Sequence, residues 1–434
     1  MEQVDVVQAG LFEFLKQAVS PFHAVEAGVR LLARAGFSEW TDDVPRVRAG
    51  DRFFMRGFGS SLFAFVVGEN PRTRLRVAAA HTDFPCLRVK PNPCLHEHGY
   101  GKLNVEVYGG MIRSTWTDRP LSLAGKVALR GGSPYELTVR LFDAGRPLMI
   151  VPHLAVHMNP DTNKGVELNP QKDLLPLFTM ADGEGGDDFL LDFLAEELQV
   201  EKEAVLSYEL TAYPVESPCL VGRRKEFVSA SRLDNMTSVY ACLAGLMAGA
   251  DAPADGISCV ALFDNEEVGS GTKQGAASML LPNLLHRVYD GLGLSDTALY
   301  ADMGRGFCFS ADVAHALHPN APEKNDVTNF PVLNGGVALK LAASQSYAGD
   351  AEAVAIAKAL CEEGNVPYQM YVNRSDMRGG STLGSLLSCQ MPMRTMDIGA
   401  PILAMHSARE TMGAHDQAAM NQLMAIFLAP VPSV

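Results

Sequence analysis

Two adjacent glutamates, Glu266 and Glu267, stop the apolar run 257–263, and glycines follow at 269 and 271. An apolar run of that length reads as a buried strand. The carboxyl end of a strand is where open α/β sheets carry their active sites. Neighbouring carboxylates repel, and a metal ion is the usual remedy, with one glutamate ligating and the other handling protons. An acidic turn on the surface also explains the pair, so metal partners elsewhere in the chain must decide.

Candidates occur at four other points. His81-Thr82-Asp83 closes the apolar stretch 75–80, and Asp83 is spaced to hold the His81 ring in the tautomer a metal needs. Asp234 precedes a helix, as an N-cap or as a carboxylate bridging two metals. Asp312 follows the strand expected at 306–310, with His315 and His318 soon after, and His406 lies between a strand and the last helix. His153 and His157 sit in a separate apolar stretch. Singly, each has a structural explanation. Together they offer His, Asp, Glu, Asp and His, each at a strand end or a helix start. Two Zn²⁺ ions sharing Asp234 would take His81 and Asp312 on one side and Glu267 and His406 on the other. Three carboxylates and a bridging hydroxide then balance the charge of both ions, so the site can be buried. Glu266, outside the ligand set, is left as general base.

The elements that must position these residues fall into two textures. Helices are expected near 4–18, 24–35, 234–248, 275–291, 351–363 and 407–427, alternating with short apolar strands at 75–80, 257–263, 306–310, 367–372 and 393–398. That alternation indicates an α/β fold with a mostly parallel sheet sandwiched by helices. Between them, strands separated by Gly-Gly turns dominate, with a glycine- and aspartate-rich loop at 183–188 and an acidic helix at 188–203. The reading is a catalytic α/β domain in two parts, 1–91 and 228–434, interrupted by a β-rich domain at 92–227.

The bulk properties narrow the function. A chain of 434 residues that is 47% hydrophobic supports a large core. A net charge of −14 disfavours nucleic acid and anionic membranes as partners. The start lacks the basic and apolar regions of a secretory leader, and no apolar run approaches the roughly 20 residues of a membrane span. Eight scattered cysteines without C-x-x-C spacing argue against a thiolate zinc site and for a reducing cytoplasm.

The ordered series His81-Thr82-Asp83 with 85–91 (PCLRVKP), Arg232-Leu233-Asp234-Asn235, Asp264-Asn265-Glu266-Glu267-Val268-Gly269-Ser270, Ser310-Ala311-Asp312 with His315 and His318-Pro319-Asn320, Arg374-Ser375-Asp376 and Ala404-Met405-His406-Ser407 resembles the aspartyl aminopeptidase family of zinc aminopeptidases. The resemblance covers essentially the whole chain. It implies a dinuclear zinc peptidase interrupted by a dimerisation domain, a tetrahedral dodecamer built from dimers, and removal of N-terminal residues, often Asp or Glu, from short peptides. It implies His81, Asp234, Glu267, Asp312 and His406 as ligands, Asp83 as the orienting carboxylate and Glu266 as the base. His157 would reach a neighbouring subunit's site and contact substrate; some descriptions of the family count it with the ligands. His315, Lys340, Tyr347 and Arg374 are further substrate-binding candidates. Phe84, Ser346 and Arg378 depart from the family pattern and leave the acidic preference open. Mn²⁺ or Co²⁺ also suit such oxygen-rich sites. The competing readings are a related dinuclear deacylase or carboxypeptidase, and a non-catalytic scaffold with structural zinc.

Overall fold

The computed structural model describes residues 2–41, 46–180, 188–250, 255–377 and 379–429. The loop expected at 183–188 falls, apart from Asp188, outside these residues, as does Arg378. The chain divides into two compact units. One comprises Met1–Asp83, Pro218–Met405 and Glu410–Val434, and the other comprises Phe84–Ser217 and His406–Arg409.

The first unit is built on a nine-stranded sheet. Its middle holds four parallel neighbours, Asp255–Phe263, Asn70–His81, Phe307–Ala311 and Arg394–Gly399. The hairpin Arg52–Gly57 and Ser61–Val67 adds antiparallel strands on one side, and Val337–Leu341 runs antiparallel to Arg394–Gly399 on the other. The sheet is therefore mixed at its flanks and parallel where the candidate residues lie. The central strands are buried on both faces, which is why they read as unbroken apolar runs. On one face Leu75, Val77, Ala79, Ile257, Cys259 and Ala261 pack with Leu281, Leu285 and Val288 of the helix Leu280–Gly291 and with Leu299 of the helix Asp296–Arg305. On the other, the Phe309 ring meets Phe427 of the helix Asp416–Leu428 at 4.6 Å between centroids. That helix lies against the helix Leu233–Gly249, where a Cβ on Gly245 would sit 2.6 Å from the Met424 backbone. Only glycine permits so close an approach.

Three expected elements differ. The expected helix 275–291 starts at Leu280, and a separate helix at Asp296–Arg305 follows, capped by Ser295. The last helix begins at Asp416, because Glu410–Gly413 forms a strand against Phe227–Ala230. The acidic helix ends at Leu198, with Gln199 in the left-handed region.

The second unit carries a six-stranded sheet whose strands pair antiparallel. Its first strand, Cys86–Glu97, runs through Pro91-Asn92-Pro93 with a register shift between Val89 and Cys94. A bulge absorbs the prolines, so the unit starts at Phe84 rather than at 92. At the far end, Cys219–Val221 pairs with Phe227–Ala230 and belongs to the first unit. Among the described residues, no helix is long and apolar enough to cross a membrane.

Candidate metal centre

Three adjacent parallel strands finish level with one another. Phe263 is in register with His81, and Ser310 with Ala79. Their ends deliver His81, then Glu266 and Glu267, then Asp312. Asp234 enters from the first turn of the helix Leu233–Gly249, where Asp234 and Asn235 leave helical geometry. The Asn235 amide donates to the Ala311 carbonyl at 2.8 Å, tying this turn to the strand that carries Asp312.

His81 is the hub and is 1% exposed. Its Nδ1 lies 3.0 Å from the Asp83 carbonyl oxygen and 3.4 Å from Asp83 Oδ1. A proton held there leaves Nε2 for the opposite side. Nε2 faces Asp234 Oδ1 at 3.4 Å and Asp312 Oδ1 at 3.5 Å. The Asp83 carboxylate does more than touch the ring: Oδ1 accepts the Glu266 amide and Oδ2 the Glu267 amide, each at 3.1 Å. One buried carboxylate thus sets the backbone of both glutamates.

The electrostatics follow from burial. Desolvation works against a charged His81, and hydrogen bonds to Asp234, Asp312 and Asp83 outweigh it, so the ring is held well above the usual histidine range. Burial pushes the Glu266 carboxyl up to about 8; His81 opposes this, while Asp312, Asp83 and Asp234 reinforce it. The centre is a negatively charged pocket that retains protons, which is the field a cation would occupy.

A family model described as aminopeptidase I zinc metalloprotease (M18) matches residues 14–428. The chain belongs to the M18 family of zinc aminopeptidases, hydrolases that act on peptides. A probable M18 family aminopeptidase 2 of Clostridium novyi is 42% identical over 411 residues, 94% of each chain. Its counterpart in Pseudomonas aeruginosa strain UCBPP-PA14 is 39% identical over 426 residues, 97% of each. Among solved structures, one of an Ape4 and Nbr1 complex superposes with a TM-score of 0.94 at 31% identity, covering 98% of this chain and 86% of that one. The mApe1 dodecamer of Saccharomyces cerevisiae superposes with a TM-score of 0.84 at 26% identity, covering 98% and 97%.

The donor set of this M18 peptidase suits the family's zinc. The ligand atoms of His81, Asp234 and Asp312 lie within 4.8 Å of one another, and so do those of His81, Glu266 and Glu267. One imidazole nitrogen with several carboxylate oxygens is a zinc-type donor set.

His406 belongs to the second unit, where its Nδ1 lies 3.1 Å from the Gly110 carbonyl oxygen. His157 is exposed in that unit, in a stretch with little regular structure. His315 and Arg374 line an open cavity of about 300 Å³ with His318, Lys324 and Tyr371. The Arg374 guanidinium is engaged by Asp376, at 2.6 and 3.0 Å, and by the Glu323 carbonyl. Lys340 and Tyr347 are 2% and 4% exposed and do not line that cavity.

Sequence reasoning missed two carboxylates. Glu410, 2% exposed, accepts the Asp234 amide at 3.1 Å through Oε2. Asp397, fully buried, faces Lys340 and Ser310 across the sheet. An aspartate inside the strand expected at 393–398 is a readable signal for the second. Nothing local marks the first.

Proposed function

We propose that the chain removes N-terminal residues from short peptides with a free α-amine, using two zinc ions that share Asp234. His81 and Asp312 would hold one ion, and Glu267 and His406 would hold the other; Mn²⁺ or Co²⁺ would fit the same oxygen-rich donors. The observation that carries this is the convergence of His81, Asp234, Asp312, Glu266 and Glu267 at the level ends of three parallel strands. Zinc bound there supplies Lewis acidity, which polarises a carbonyl and acidifies water. Glu266 takes a proton from the attacking water on a carboxylate oxygen and returns it to the leaving amine nitrogen. Asp83 fixes where that oxygen stands through the Glu266 and Glu267 amides.

His315 and Arg374 border a cavity of about 300 Å³, sized for a side chain or a short stretch of peptide, and His157 would be the residue that a neighbouring subunit contributes to the substrate site. The Tyr347 ring packs against Tyr371 of the cavity wall, with 6.0 Å between centroids. The resemblance to dodecameric relatives supports a homo-oligomer built from dimers, with the second unit as the dimerisation domain. Free cysteines throughout the chain support a cytoplasmic setting. The deciding experiment is a panel of Asp-, Glu-, Leu- and Met-terminated peptides, free and N-acetylated, offered to zinc-loaded protein. Only free-amine peptides should be shortened, one residue at a time. Hydrolysis of the acetylated series would make the protein a deacylase instead.

A further inference from the structure

The turn that delivers Asp234 is anchored on an element that carries none of the candidate site residues. Arg232, two residues before Asp234, takes a left-handed backbone with a φ of 63°. Such a conformation is uncommon for a residue with a side chain and persists where surrounding contacts hold it. The Arg232 guanidinium reaches the first helix, Glu2–Gln17, where Nη2 donates to the Leu15 carbonyl at 3.0 Å. Leu15 lies in the last turn of that helix. Carbonyls there lack intrahelical partners and the helix dipole is negative, so a cation suits the position.

The same helix is fixed at two further points. The buried Gln8 side-chain amide donates to the Ala414 carbonyl at 2.7 Å. Ala414 directly follows the strand Glu410–Gly413, whose Glu410 accepts the Asp234 amide. A Cβ on Gly10 would overlap the Tyr240 hydroxyl, and the Tyr240 ring meets Phe14 at 5.8 Å between centroids. Tyr240 belongs to the helix Leu233–Gly249 that begins with the Asp234 turn. Leu11 and Leu15 are fully buried, so the first helix is docked by apolar packing and not by Arg232 alone. It thus meets both supports of Asp234: the residue that leads into its turn and the strand that accepts its amide.

We propose that Arg232 is a positioning residue: it passes the hold of the N-terminal helix to the Asp234 turn, so that zinc affinity depends on how firmly that helix is docked. The inference rests on Asp234 being a zinc ligand. Neither Arg232 nor the helix needs to touch substrate. Loosening their contact weakens zinc binding first and turnover as a consequence.

The test uses the full-length protein as wild type, Arg232→Met, Arg232→Lys, Gly10→Ala and the double variant of Arg232→Met with Gly10→Ala. Zinc affinity is measured by competition with a chromogenic chelator, and the denaturant midpoint on metal-free protein. Arg232→Met should bind zinc about tenfold more weakly, the lower end of what disturbing a ligand's surroundings costs. Arg232→Lys, whose ammonium can still donate to the Leu15 carbonyl, should recover part of the loss. Gly10→Ala pushes the helix from Tyr240 without touching the Asp234 turn, and it should weaken zinc binding as well. Both changes act through one contact, so the double variant should lose less than the product of the two factors. If Arg232→Met does not fold, Arg232→Lys and Gly10→Ala carry the comparison against wild type. A role confined to stability would lower the midpoint and leave zinc affinity at the wild-type value in the folded variants. That result would overturn the proposal, and so would losses that multiply in the double variant. A wild type that binds no zinc would refute the zinc-peptidase reading itself, a result visible before any variant is made.

Discussion

Replacing Asp83 with alanine removes the acceptor of two partly buried amides at once. In the structure Oδ1 takes the Glu266 N–H and Oδ2 the Glu267 N–H, both at 3.1 Å, and the Asp83 side chain is fully buried. A fully buried donor left unsatisfied costs about 1–3 kcal/mol, so for these two partly buried amides the intact geometry would be penalised by at most about 6 kcal/mol. The turn 264–270 can escape that penalty only by moving, and both glutamates move with it. A displacement of about 1 Å at a catalytic group costs about a hundredfold in rate. Asp83→Asn keeps one acceptor oxygen and sets an NH₂ against the other amide, so it should fall between wild type and alanine. The assay pairs kcat/KM on a leucyl peptide with zinc content and the denaturant midpoint. Asp83→Ala should lose about a hundredfold or more in kcat/KM, or unfold at distinctly lower denaturant. An alanine variant within twofold of wild type and with an unchanged midpoint would refute the idea that this carboxylate holds the glutamates.

Glu266→Gln preserves size and removes the proton acceptor; kcat should fall by about 10²- to 10⁴-fold with zinc content unchanged, and substantial turnover would reassign the base. Asp416 offers a pH test remote from the centre. Burial pushes its carboxyl up to about 7, although the amides of Asn334 at 2.8 Å and Gly336 at 3.0 Å oppose the shift. The folded state then binds the proton more tightly than the unfolded chain does. That contribution to stability is complete below about pH 4 and is lost as pH rises through about 7. The difference from the ordinary value of 3.8 converts to about 4 kcal/mol. Unfolding free energies of Asp416→Asn should lack this decline, so the variant gains on wild type between pH 5 and 8; parallel curves would show that Asp416 does not titrate in that range.

The centre was readable because its residues stand at strand ends, where an apolar run gives way abruptly to His81, Glu266 or Asp312. Each such break is a local signal. What was not readable depends on contacts distant in sequence. Glu410 holds the Asp234 amide across 176 residues, and Glu410–Gly413 forms a strand only because Phe227–Ala230 lies beside it. The same four residues fit a helical pattern when read alone. Pro91-Asn92-Pro93 marks a boundary by composition, and a bulge in a paired strand overrides it.

The central claim is that Asp234 joins two zinc ions into one centre. Zinc per chain, measured on wild type and on Asp234→Ala after gel filtration, tests it most directly. Two zinc ions per wild-type chain, and loss of both from the variant, are expected. A variant that keeps one zinc at full occupancy would contradict it.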